Sequence, residues 1–372
     1  MPDLRARLAQ LLESGGPKLE RLVPCEIAIY GAGNAGRALA TAVTARGFRV
    51  HSFLDARASS IPDVEGTPCH LPNSEIARAA AAKGLPVVVA VFNFATDLRP
   101  ILTVLRESGF ERVITFYEMH EHLGLEPQFW LGNRGLYPAR APEILAGFDL
   151  FEDEESQRIY YDLIALRLTF ETSLLGEPDQ TNHYLPADLL PPHSPWRMID
   201  GGAFTGDTIE LLHRKGVDFE AVAAFEPDPA NFVRLSEAMG KLNGQVRDII
   251  LFPCGLSNET GIRSFAAGDG AASALHAGGE NRIQVVALDD VLPTFAPTFI
   301  KLDIEGAEPE ALLGAQRMIA RCKPILAVCV YHAPEHLWTL PALMRRLCPD
   351  HRLALRYHQF NGFDVVAYAF AR

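Results

Sequence analysis

The chain has 372 residues, 48% of them hydrophobic and 22% charged, an ordinary globular composition with room for two or three domains of ~100–200 residues each. Its net charge of −12 argues against a nucleic-acid backbone or an anionic membrane as the main partner. No apolar run approaches the ~20 residues that a membrane-crossing helix needs.

The N-terminal stretch MPDLRARLAQLLESGGPKLE mixes both charge signs around no long apolar segment, unlike a secretory signal. From about residue 24 to 120, strand-like and helix-like segments alternate. CEIAIYGAG reads as a strand and tight turn, AGRALATAVTARG as a helix, and FRVHSFLD, LPVVVAVF and ERVITFYE as further strands. Such alternation predicts a parallel sheet with crossover helices. Between 121 and 195 the pattern becomes helical, as in FEDEESQRIYYDLIALRLTFETSLL, whose early acids suit the positive end of a helix dipole. It ends in the proline-rich PADLLPPHSPW. From 196 onward alternation returns, and the terminal HRLALRYHQFNGFDVVAYAF predicts two antiparallel strands about a turn at Asn361 and Gly362. The expected organisation is α/β: two Rossmann-like domains, residues 1–120 and 196–372, joined by a helical connector over 121–195. Cys25, Cys69, Cys254, Cys322, Cys329 and Cys348 form no C-x-x-C pair. They read as reduced thiols of a cytoplasmic protein.

The segment MIDGGAFTGDT closes a strand on Asp200 and frames a strand–helix turn with Gly202 and Gly206. Glycines there let a ligand approach the backbone and the N–H groups of a helix start. The next strand ends at Glu226, twenty residues after Gly206, where an acid can accept hydrogen bonds from ribose hydroxyls. The third strand leads into PCGLSN, which places Gly255 and Leu256 beside an adenine. Asp200 and Asp207 flank the glycine turn. Carboxylates there repel a pyrophosphate and favour a sulfonium or ammonium, which points to S-adenosylmethionine as cofactor.

These motifs, with VVALDDVL, FIKLDIEGAEPEALLGA and VYHAPEHL, resemble the FkbM-type methyltransferases over residues 197–370. The resemblance implies a seven-stranded methyltransferase sheet and S-adenosylmethionine-dependent O-methylation of a sugar, glycan-precursor or polyketide hydroxyl. Asp303 and Glu305 follow the fourth strand of that sheet, on the edge where open α/β folds bind ligands. Glu308 and Glu310 read as caps of the next helix. His332 ends the fifth strand. Methyl transfer to a hydroxyl requires removal of one proton, and Asp303, Glu305 and His332 are the catalytic candidates. HAPEH is not the zinc motif H-E-x-x-H, histidine suits magnesium poorly, and no obligatory metal is expected. The glycine-rich FAAGDGAASALHAGG predicts a loop over this edge, with Ser273 as a further cofactor contact.

Gly31, Gly33 and Gly36 form G-x-G-x-x-G between a strand and a helix, and Asp55 closes the next strand nineteen residues after Gly36. That is the context of a dinucleotide fingerprint. The surrounding sequence also resembles the nucleotide-sugar-binding N-terminal domain of bacterial sugar acyltransferases, which implies a nucleotide or nucleotide-linked sugar there. Two other readings stay open: an NAD(P)-dependent oxidoreductase working through this turn, and a non-catalytic nucleotide-binding scaffold. The acceptor class is a small molecule or glycan, and the sequence is compatible with a homo-oligomer.

Overall fold

The computed structural model describes residues 3–371 other than 21, 127, 190–194 and 266–280. Ser273 and most of the glycine-rich loop assigned to the active edge lie outside the described residues. The chain divides into two compact units. One comprises Met1–Ala141, Tyr161–Pro178 and Gln359–Phe363; the other comprises Pro142–Tyr160, Asp179–His358 and Asp364–Arg372. The fold is mixed α/β with mainly parallel sheets.

The first unit holds β1 (Glu26–Tyr30), β2 (Arg49–Leu54), β3 (Asp63–Val64), β4 (Thr67–His70), β5 (Val87–Val89) and β6 (Val113–Thr115), in the spatial order β3-β4-β2-β1-β5-β6. All neighbours pair in parallel except β3 with β4. The buried Ile27, Ile29, Leu39, Val43, Phe53, Val88 and Ile114 form its core. The helix Asn34–Thr44 presses close to β1 because Gly36 has no side chain. A Cβ there would lie 1.8 Å from the Gly31 carbonyl oxygen.

The second unit is built on β7 (Trp196–Gly201), β8 (Phe219–Phe225), β9 (Asp248–Phe252), β10 (Gly255–Leu256), β11 (Gly261–Phe265), β12 (Asn281–Val286), β13 (Phe299–Leu302), β14 (Ile325–Cys329), β15 (His351–Tyr357) and β16 (Val365–Ala371). Seven of these form one sheet in the order β15-β16-β14-β13-β7-β8-β9, and β10, β12 and β11 form a small second sheet. The pairs from β14 to β9 are parallel, while β16 runs antiparallel between β14 and β15. Near-continuous apolar strands such as FIKL, buried at every position, suit a sheet covered on both faces. The helix Pro229–Lys241 starts where Asp228 accepts the N–H groups of Ala230 and Asn231 and proline occupies the first turn. Strand order reverses direction between β7 and β13, so their carboxyl ends open a crevice. Register sets Leu302 opposite Gly201 and Gly201 opposite Phe225. The residues that follow, Asp303, Gly202 and Glu226, therefore emerge together at one edge.

Candidate active site

The turn after β7 depends on three residues with left-handed backbone: Gly202 at φ 75°, Phe204 at 48° and Gly206 at 85°. A Cβ on Gly202 would fall 1.9 Å from the carbonyl oxygen of Asp303, so glycine is what allows β7 and β13 to meet at their tips. Glu226 holds this turn from the end of β8. One carboxylate oxygen accepts the Phe204 N–H at 2.9 Å and the other the Asp228 N–H at 2.8 Å. Burial raises its carboxyl to about 7 against the effect of those two bonds. Leu256 reaches the same turn, its side chain packing on Gly201, and Gly255 is buried beside it in β10.

Asp200 takes a different place from the one its position in the motif suggests. It is fully buried, and parallel pairing sets it opposite Lys301. The Lys301 ammonium, 2% exposed, donates to Asp200 Oδ1 and to the Gly202 carbonyl, each at 2.9 Å. The Asp200 charge is thereby compensated inside the sheet rather than offered to a ligand. Burial alone would depress the Lys301 ammonium, but Asp200 and Asp303 outweigh it and raise it.

Beyond β13 the backbone turns sharply through Glu305 at φ 54° and Gly306 at 103°. A non-glycine residue in this conformation is held by its surroundings, and Glu308 supplies the hold. Its buried carboxylate accepts the Ile304 N–H at 2.8 Å and the Gly306 N–H at 3.1 Å. It also lies 2.8 Å from His332 Nδ1 and 3.6 Å from His336 Nδ1. Glu308 is thus more than the helix cap expected from sequence: it is the anchor of the acidic turn and of His332. The other ring nitrogen of His332 lies 3.4 Å from Asp303 and 3.6 Å from Glu305.

Electrostatics divides these groups. Burial opposes the His332 imidazolium, but Glu308, Glu305 and Asp303 outweigh it and raise the ring to about 10. His332 is therefore a cation at neutral pH and a poor proton acceptor. Burial would likewise raise the Asp303 carboxyl, yet Lys301, His332 and the Tyr184 hydroxyl, which donates to it at 2.9 Å, bring it below the usual range. Glu305 has weaker compensation, and burial lifts it to about 7. Asp364, where the chain enters β16, is raised to about 7 by burial and by Asp303. Tyr184, Lys301, Glu308 and Asp364 join the cluster without having been singled out as site residues from the sequence.

In the first unit the glycine turn has a similar clasp. Asp55 Oδ2 accepts the Ala32 N–H at 2.9 Å, while Oδ1 accepts the Arg57 N–H and lies 3.3 Å from the Arg57 guanidinium. Gly31 sits at φ 104°, and a Cβ on Gly33 would meet nothing within 4 Å. Among the described residues, no group of three or more His, Cys, Asp or Glu is arranged to hold a metal ion, and no helix is long and apolar enough to cross a membrane.

Comparison with known proteins agrees with the motif resemblance. Residues 200–363 match the family model of the Methyltransferase FkbM domain. The fold is similar to the crystal structure of Methyltransferase FkbM from Methylobacillus flagellatus KT, with a TM-score of 0.80 and 23% identity over 98% of each chain. None of the curated proteins compared with the chain matches it.

Proposed function

We propose that the second unit is an S-adenosylmethionine-dependent O-methyltransferase acting on a hydroxyl of a sugar, a glycan precursor or a related natural product. The observation that carries this reading is the placement, on one sheet edge, of the Glu226-clasped glycine turn beside the carboxylates of Asp303 and Glu305. The residues fit the cofactor. Each Glu226 oxygen receives only one backbone N–H, leaving acceptor capacity for ribose hydroxyls. Bound there, S-adenosylmethionine supplies an electrophilic methyl group: the acceptor oxygen bonds to its carbon and the methyl–sulfur electron pair remains on sulfur. Gly202, Gly206, Gly255 and Leu256 shape the donor pocket. Glu305, poised near neutrality, takes the hydroxyl proton, while His332 and Glu308 keep the acidic turn in place. The test is a calorimetric titration with S-adenosylhomocysteine beside Glu226→Ala. Micromolar binding lost in the variant supports the reading, and no binding to the folded wild-type chain removes it.

For the first unit, the open space over Gly33 and the acid at the end of β2 favour a nucleotide or nucleotide-linked sugar on the Gly31–Gly36 turn. Titration with a nucleotide-sugar and with NADH, each repeated on Gly33→Val, separates this ligand from the hydride-transfer alternative.

A further inference from the structure

We infer that Asp303 is the counter-ion of the donor's sulfonium, and that Tyr184, which precedes the matched segment, is the positioning residue that aims it. This rests on the methyltransferase reading and assigns Asp303 to the donor rather than to the acceptor.

Geometry places Asp303 on the donor side. Its backbone N–H donates to the Gly201 carbonyl at 3.1 Å, continuing the β13–β7 ladder onto the glycine turn. Its own carbonyl fills the space left by the missing Gly202 side chain. Lys301 spans the two loops, bonding the Gly202 carbonyl and standing 4.0 Å from Asp303 Oδ2. The Asp303 side chain is 25% exposed whereas that of Asp200 is 0% exposed. Asp200 is closed off inside the sheet, whereas the charge of Asp303 reaches the open edge.

That charge is fixed from several directions. Tyr184 is buried, with its hydroxyl on Asp303 Oδ2 and its ring face 5.3 Å from the Lys301 ammonium. His183 stacks on Tyr184 at 4.0 Å and is held neutral by burial, its ring lowered to about 3. His332 approaches from β14. Glu305 and Asp364 also face Asp303, both raised chiefly by burial and further by its negative charge, as are the Cys329 thiol and the Tyr331 hydroxyl. Lys301 is shared with Asp200, lying 2.9 Å from Asp200 Oδ1 and 4.0 Å from Asp303 Oδ2, so it compensates the Asp303 charge only in part. A sulfonium placed against Asp303, or an ammonium at the position of the sulfur, gains Coulomb attraction in a partly dry site. A neutral thioether does not.

The test compares S-adenosylhomocysteine with sinefungin, in which an amine-bearing carbon replaces the sulfonium, by calorimetric titration of the full chain at pH 7.5. The wild type is expected to bind sinefungin at least about tenfold more tightly. Asp303→Asn is expected to lose the preference, so that the ratio of the two affinities falls by at least about tenfold whatever the change in S-adenosylhomocysteine binding. Tyr184→Phe removes only the aiming hydroxyl and is expected to narrow the preference without changing the S-adenosylhomocysteine affinity, which a merely structural role would not do. Equal wild-type affinities, or a preference that survives in Asp303→Asn, overturns the inference. Should Asp303→Asn fail to fold, an unchanged preference in Tyr184→Phe overturns it. Binding of neither ligand by the folded wild type removes the methyltransferase reading itself.

Discussion

His332 and Glu308 form a buried ion pair at the tip of β14, Nδ1 to carboxylate oxygen 2.8 Å, with side-chain exposures of 1% and 0%. Neither group would remain charged at that depth alone. The imidazolium is stabilised from about 6.5 to about 10 by Glu308, Glu305 and Asp303. Its contribution to stability is thus fully present below pH 6.5 and is lost as pH rises through about 10. Glu308→Gln leaves that cation without its main partner and is expected to destabilise the second unit by about 3–5 kcal/mol. Thermal unfolding at pH 6, 8 and 9.5 checks this. The alkaline decline in wild-type stability should flatten in the variant, and an unchanged slope would assign the decline to other groups.

Lys301 and Asp200 make a second buried pair, 2.9 Å apart with side-chain exposures of 2% and 0%. Lys301→Met strands the Asp200 carboxylate and is expected to cost about 3–5 kcal/mol. Adding Asp200→Asn removes the stranded charge, and the double variant should recover most of the loss in denaturant unfolding. A double variant as unstable as the sum of the single ones would mean that the pair's charges do not interact.

The glycines of the first unit separate two roles. Gly36→Ala puts a methyl group on the Gly31 carbonyl at 1.8 Å, whereas Gly33→Ala enters open space at an ordinary negative φ. Melting curves should show a loss of about 1–3 kcal/mol for Gly36→Ala and little change for Gly33→Ala. If Gly33 serves only the packing of helix on strand, its alanine variant will be destabilised as well.

Much of the second unit was legible because its strands are near-continuous apolar runs ending in acids or glycines. IKLD, AFE and MIDGG each announce a strand and its tip. Lys301 was not singled out, because its partner Asp200 is set by the register of β13 on β7 and not by its neighbours in sequence. Tyr184 gave no local signal, since its role arises from a contact 119 residues away in sequence. Glu308 read as a helix cap because sequence spacing reports the first turn of a helix and not its depth. Asp364 lay hidden in the terminal hairpin. In the first unit, β3 and β4, of two and four residues, are too short to show a period.

Glu226 gives the donor site its pH dependence. Burial raises its carboxyl from 4.5 to about 7, and its two oxygens already face the Phe204 and Asp228 N–H groups. Ribose hydroxyls donate best to the ionised form. S-adenosylhomocysteine affinity should therefore rise between pH 6 and pH 8, by about tenfold if only the carboxylate binds. Glu305 and Asp364 are raised to a similar value, so the assignment needs a variant. Glu226→Gln retains a carbonyl acceptor for one N–H while removing the titration. Its affinity should be low and flat across the range. A slope that persists in Glu226→Gln would transfer the pH dependence to the acidic turn around Glu305, and a flat wild-type profile would show that the ribose is not held by this carboxylate.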